Sequence, residues 1–207
     1  MKIEGYSIGI LGTNCYLIIN EDTKQAVVID PAACPKKLKM RIYEDGLKIE
    51  AILLTHAHFD HTMGIDEFVN EFGVSKVYVH KNDEAMMTDP QLNLSSVYTH
   101  GYTWSEFDFL YDQQILELAG ARFKVIHTPG HTSGGCCFYL EDDNALFSGD
   151  TLFYNSIGRT DFVTSSMSDM LASIREKLFE LPDDTIVYPG HMSATKIGHE
   201  KKHNPYV

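Results

Sequence analysis

The chain has 207 residues, with 29 acidic against 17 basic side chains and a formal net charge of −12 at pH 7. A surface of that sign repels phosphate backbones, and no run of Lys or Arg exceeds two, which excludes nucleic acid as an expected partner. No stretch nears the roughly 20 apolar residues of a membrane span, and Met1-Lys2-Ile3-Glu4-Gly5-Tyr6 opens no long apolar run, so a soluble, cytoplasmic protein without a membrane partner is expected.

The length suits one sizeable core and nothing reads as a linker, so a single domain over 1–207 is expected. Taken in order, residues 3–8, 15–19 and 26–29 predict three strands joined by Gly- and Asn-bearing turns, an antiparallel meander. Asp30-Pro31 ends the third strand, and Asp30 is either a turn former or a carboxylate supporting the loop that follows the next strand. Residues 36–45 then predict a short helix, 49–54 an apolar strand, 65–72 an amphipathic helix and 76–80 another strand. Strands alternating with helices define an α/β layered fold. Residues 81–112 lose periodicity and carry Tyr98, Tyr102, Trp104, Phe107, Phe109 and Tyr111. So long a connection is either a lid or binding loop, or an aromatic crossover packed on the core.

The second half repeats the plan, with strands at 114–118, 123–126, 136–140 and 145–147, a helix at 168–179 and a last strand at 186–188. The tail from 196 predicts a short helix, either laid over the site with its cations or simply anchored at the terminus. Cys15, Cys34, Cys136 and Cys137 lack metal or disulfide spacing and read as buried thiols, the last two facing opposite sides of a strand.

Chemistry concentrates in Thr55-His56-Ala57-His58-Phe59-Asp60-His61, on the turn between strand and helix. Imidazole and carboxylate are donors for divalent metals. Along an extended segment His56 and His58 share a side and can hold one ion; Asp60 and His61, past the turn, can begin a second. A single ion with the other groups around it is the alternative. Further on, His131, Asp150 and His191 each follow a glycine that lets the backbone approach closely. They complete a set in which His56, His58 and His131 hold one ion, Asp60, His61 and His191 a second, and Asp150 bridges. Every one of these loops follows an apolar strand, which places the donors along one rim of the sheets.

The order HxHxDH, then H, D and H resembles the metallo-β-lactamase superfamily, and residues 55–64, 127–134, 148–153 and 189–191 look like its hydroxyacylglutathione hydrolase (glyoxalase II) branch. The resemblance implies a four-layer αββα sandwich with two divalent ions at one edge of the sheets, zinc first and iron or manganese as alternatives. It implies a hydrolase for a small-molecule thioester, S-acylglutathione or similar, attacked by a metal-bridging hydroxide that Asp60 orients. A thioester suits such a centre because a thiolate of pKa about 8.5 leaves with little help from an acid. The β-lactamases of the superfamily lack a bridging aspartate, which argues against antibiotic hydrolysis as the main activity. The helical domain that follows in full-length glyoxalase II enzymes, with its basic contacts to glutathione, is absent from the 207 residues. Where those enzymes place a Lys and a Tyr on the thiol's peptide, this chain has Arg159 and Asp161. Arg159 and Tyr154 are the candidate substrate contacts, with pairing of Arg159 to Asp161 as the competing role. The related persulfide dioxygenases share Gly-Arg-Thr-Asp-Phe and would use one iron on His56, His131 and Asp150. Lactonases of the same fold place a Tyr where this chain has Phe153.

Overall fold

The computed structural model describes all residues, 1–207. Three strands, β1 (Lys2–Ile8), β2 (Thr13–Ile19) and β3 (Gln25–Ile29), form the antiparallel meander. After α1 (Lys36–Glu44), β4 (Lys48–Leu53) joins β3 in parallel. The single turn α2 (Phe59–Thr62) and the helix α3 (Ile65–Phe72) lead to β5 (Val77–His80), again parallel.

Residues 81–112 are more ordered than their lack of periodicity suggests. They hold α4 (Glu84–Thr88), α5 (Ser95–Tyr98) and a strand, β6 (Asp108–Leu110), that closes the first sheet in the order β1-β2-β3-β4-β5-β6. Three residues are too few for alternation to register. The aromatic-crossover reading is seen in Trp104 and Phe107, which pack on the core, while Tyr98 stacks on Phe59 beside the site, ring centroids 5.0 Å apart.

The second sheet is built from β7 (Ile115–Leu118), β8 (Ala121–His127), β9 (Cys136–Leu140) and β10 (Ala145–Gly149). A two-stranded hairpin follows, β11 (Leu152–Phe153) and β12 (Ser156–Ile157), then α6 (Met167–Glu176) and β13 (Ile186–Pro189). The expectation that this strand is the last is corrected by β14 (Thr195–Lys196), which precedes α7 (Ile197–His203). The sheet order is β14-β13-β10-β9-β8-β7. Each of the missed strands has two residues, so side-chain pattern carries no signal there.

Three apolar layers separate four structural ones. Val27, Ile29 and Leu53 from the first sheet meet Phe123, Phe138 and Phe147 from the second. Leu38, Ile42, Ile65 and Phe68 bury the outer face of the first sheet under α1 and α3, and Met170, Ile174 and Ile197 do the same for the second under α6 and α7. The result is the αββα sandwich. Cys136 faces the inter-sheet core and Cys137 the outer one, and all four thiols are free and buried. No helix is long and apolar enough to cross a membrane.

Candidate metal centre

The strand ends converge between the two sheets. Asp30, just past β3 in a left-handed backbone (φ +52), aims its carboxylate under the loop after β4. Oδ1 accepts from Thr55 N–H at 2.8 Å, and Oδ2 accepts from Thr55 Oγ1 at 2.7 Å and faces His61 Nδ1 at 2.9 Å. Asp30 is thus both turn former and support. Its contact places the His61 proton on Nδ1 and turns Nε2 toward the centre, the usual way a carboxylate orients a ligating imidazole.

A second supporting carboxylate, Asp83, gave no sequence signal. It sits in the 81–112 segment, fully buried, and joins the two histidine loops. Oδ2 accepts from Ala57 N–H (3.1 Å) and Thr132 Oγ1 (2.8 Å), and Oδ1 from Gly134 N–H (2.6 Å). Ala57 lies between His56 and His58, and Thr132 follows His131. Only proximity in space connects these residues.

All seven sequence-derived donors meet in one cluster. Three groups of side-chain atoms, each mutually within 4.8 Å, could hold an ion: His56, His58 and His131; His56, His61 and Asp150; and Asp60, His61 and His191. Asp150 lies between the flanks, with Oδ2 3.4 Å from His131 Nε2 and 3.6 Å from His191 Nε2, and Oδ1 3.4 Å from His61 Nε2. Asp60 Oδ2 is 3.3 Å from His191 Nε2 and accepts from Thr13 Oγ1 at 2.8 Å. Gly190 makes this approach feasible, since a Cβ there would strike Asp150 Oδ1 and come within 2.7 Å of His61 Cε1.

The cluster has the character of a ligand set. Five buried side-chain polar atoms in the chain lack a hydrogen-bond partner, and four of them are His56 Nε2, His58 Nε2, His61 Nε2 and Asp150 Oδ1. Orphaned buried polar atoms are costly, and their concentration at one point calls for a cation. His58 Nδ1 and His131 Nε2 stand 2.9 Å apart, a spacing at which two ring nitrogens need a proton or a cation between them. His131 Nδ1 donates to Arg159 O at 2.8 Å, which leaves Nε2 free for the centre.

Electrostatics agrees. Burial, with His61 and His131 as positive neighbours, drives His56 well below its usual range, and burial with His131 takes His58 down to about 3. Both stay neutral with a lone pair to offer. Burial opposes ionisation of Asp150, yet His61 brings its carboxyl down to about 2. For His61 itself burial is outweighed by Asp60, Asp30 and Asp150, which raise it well above the ordinary imidazole value. Divalent cations require neutral imidazoles and anionic carboxylates; His56, His58 and Asp150 are already in those states, whereas His61 holds a proton that a bound cation would displace.

A cavity of about 370 Å³ opens onto His58, Asp60, His131, Asp150 and His191. Arg159 lines it, pairs with Asp161 at 2.8 Å and lies over the Phe162 ring at 4.6 Å. Both roles weighed for Arg159 are geometrically open. Tyr154 lies elsewhere: its ring stacks on His199 (5.2 Å, 11°) and faces a separate cleft beside β14, while its neighbour Phe153 faces the cavity.

Fold and site together define a metal-dependent hydrolase built on two packed sheets. The chain belongs to the metallo-beta-lactamase superfamily, whose family model matches residues 8–191. It is similar to a Haemophilus influenzae protein named hydroxyacylglutathione hydrolase GloC, 35% identical over 209 residues that cover 100% of this chain and 98% of that one. Among solved structures it is similar to BLEG-1 B3 metallo-beta-lactamase (39% identity, TM-score 0.92, 99% of each chain covered). It is also similar to TTHA1623 in a di-iron-bound form (33% identity, TM-score 0.84, 99% and 100% covered).

Proposed function

We propose that the protein hydrolyses thioesters, S-acylglutathione or similar, with two divalent ions, zinc first and iron or manganese as alternatives. The observation that carries this reading is the cavity floor: it presents donors from both flanks of the cluster side by side, so one carbonyl can lie against both. His56, His58 and His131 would hold one ion, Asp60, His61 and His191 the other, with Asp150 shared. Two such cations supply a nucleophile from water at neutral pH and polarise the carbonyl. The chain's own residues do the rest. Asp60, fixed by Thr13, would accept a hydrogen bond from the attacking hydroxide and aim its lone pair at the carbonyl carbon. Asp30 and Asp83 hold the two histidine loops in register, and their hydrogen bonds leave the donors no freedom to collapse together. Arg159, on the cavity lining, would meet a carboxylate of the departing thiol, while Tyr154 faces the separate cleft beside β14.

The name of the Haemophilus influenzae relative supports the thioester class. A β-lactam substrate is a second reading, favoured by the 39% identity to BLEG-1. It requires protonation of a leaving nitrogen, for which the cavity lining offers no carboxylic acid outside the donor set. The test is metal analysis of protein purified without chelator, followed by assays on S-lactoylglutathione, a β-lactam and glutathione persulfide. Two ions per chain with thioester turnover are expected. One iron with oxygen consumption on the persulfide would replace the hydrolase with a dioxygenase, and turnover of the β-lactam alone would move the substrate class.

A further inference from the structure

The two sides of the cavity are built differently. Beside His58 and His131 stand Tyr98, Arg159 and Phe162, the Phe162 ring 5.0 Å from that of His58. Beside Asp60 and His191 stand Leu11, Phe153 and Met192, none with a charge or a hydroxyl. The Phe153 ring is 6.1 Å from the His191 ring, Met192 follows His191 directly, and Leu11 is two residues from Thr13, the partner of Asp60. One wall is therefore polar and aromatic, and the other is apolar apart from Ser156, the strand partner of Phe153.

The apolar wall is held in place. Asn14 donates its N–H to Gly190 O at 2.7 Å and its Nδ2–H to Met192 O at 2.8 Å, tying the start of β2 in one sheet to the loop after β13 of the other. Met192 keeps a left-handed backbone (φ +67), which costs an L-residue energy and persists where surrounding contacts impose it. Yet Leu11 and Met192 are 47% and 60% exposed. Single exposed apolar residues need no explanation, but a group fixed on one wall of a cavity over a reactive centre points to an apolar ligand. Charge gives no alternative: Arg159 is the cavity's single Lys or Arg, it lies by the opposite wall, and Asp161 pairs with it.

Resting on the thioester reading above, we infer that the wall formed by Leu11, Phe153 and Met192 is the acyl subsite and selects thioesters with an aliphatic or aryl acyl arm over hydroxyacyl ones. The reaction is hydrolysis: water adds to the carbonyl carbon, the C–S bond breaks with its electron pair on sulfur, and a carboxylic acid and a thiol are released. Each methylene fully buried on that wall is worth up to about fourfold in kcat/KM, and the gain falls on KM if the wall binds ground and transition states alike.

The test compares lactoyl, acetyl, butanoyl and hexanoyl thioesters of one thiol on the metal-loaded protein, with L11S, M192S and, as a control on the distant face of α1, M40S. The expected result is a kcat/KM that climbs from acetyl to hexanoyl, lies lowest for lactoyl, and loses its slope in L11S and M192S but not in M40S. A flat series, or lactoyl as the best substrate, would overturn the inference. Equilibrium binding of hexanoate against lactate supplies an answer independent of turnover. If no thioester is hydrolysed yet hexanoate binds about tenfold tighter, and this difference falls in L11S, the apolar subsite stands and the thioester reading fails. Equal binding of the two acids would sink the subsite as well.

Discussion

Asn155 donates its backbone N–H to Glu200 Oε2 at 3.0 Å, so the last helix holds the hairpin that follows Asp150. Glu200 is almost fully buried, and it also accepts from Thr195 Oγ1 (2.6 Å) and Asn204 Nδ2 (2.9 Å). Asn204 in turn donates to Ser156 O at 3.0 Å, and His199 Nε2 lies 2.8 Å from Asn155 Oδ1. The tail is an anchor for β11 and β12, whose Phe153, Ser156 and Ile157 line the cavity. Glu200→Gln removes one acceptor oxygen and leaves a buried donor unmatched, at about 1–3 kcal/mol. Denaturant unfolding should show that loss, together with a raised KM and a kcat within about twofold of the native value. Unchanged stability and KM would show that the anchor is idle.

Asp83 makes a pH prediction. Burial pushes its carboxyl up to about 6, against the hydrogen bonds from Thr132, Gly134 and Ala57. A folded pKa above the unfolded one means that folding favours the protonated group. Its contribution is whole below the unfolded carboxylate value of about 3.9 and is lost as pH rises through about 6. For metal-free protein, unfolding titrations at steps across that window should find the native chain losing stability with rising pH relative to Asp83→Asn. The difference approaches 3 kcal/mol, about 1.4 per pKa unit. A constant difference between the two proteins would mean that Asp83 does not titrate there.

Gly64 closes the turn between α2 and α3. Its N–H donates to Pro31 O at 2.6 Å, and an added Cβ would meet that same oxygen and sit 2.8 Å from Ala33 Cα. Backbone atoms cannot swing aside as side chains do. Gly64→Ala should therefore destabilise by about 1–3 kcal/mol, the cost of overpacking, and lower metal content because Asp60 and His61 lie on the preceding turn. A thermal midpoint unchanged from native would refute the clash.

Asp60 is the anionic donor that the three-residue set with His61 and His191 cannot spare. If the centre holds the two ions proposed, Asp60→Asn should reduce bound metal toward one ion and cut turnover by at least about 10²-fold, the scale seen when a charge-stabilising group is lost. Metal analysis beside the assay checks both, and intact content with intact turnover would remove Asp60 from the centre.

Much of the architecture was legible because both halves use long, regular elements: β2, α3, β8 and β9 each carry an uninterrupted apolar pattern. The donors were legible too, because His56, His58, Asp60 and His61 sit within six positions and the remaining three each follow a glycine. Asp83 and Glu200 were not. Each sits among other polar residues with no motif around it, and its hydrogen-bond partners lie 26 to 51 residues away for Asp83 and up to 45 for Glu200. Tyr154 and Phe153 show the same limit at closest range, since β11 ends at Phe153 with Tyr154 just beyond it, and composition cannot say which of the two neighbours faces the cavity.

The first sheet and its helices supply His56, His58, Asp60 and His61, and the second supplies His131, Asp150 and His191. Each of the three donor groups draws on both. A nascent chain that has only finished β6 therefore owns four donors and no complete set. Two of the groups close when the loops after β8 and β10 deliver His131 and Asp150, and only the third waits for β13 and His191, so a full donor set would itself report that the two halves have met.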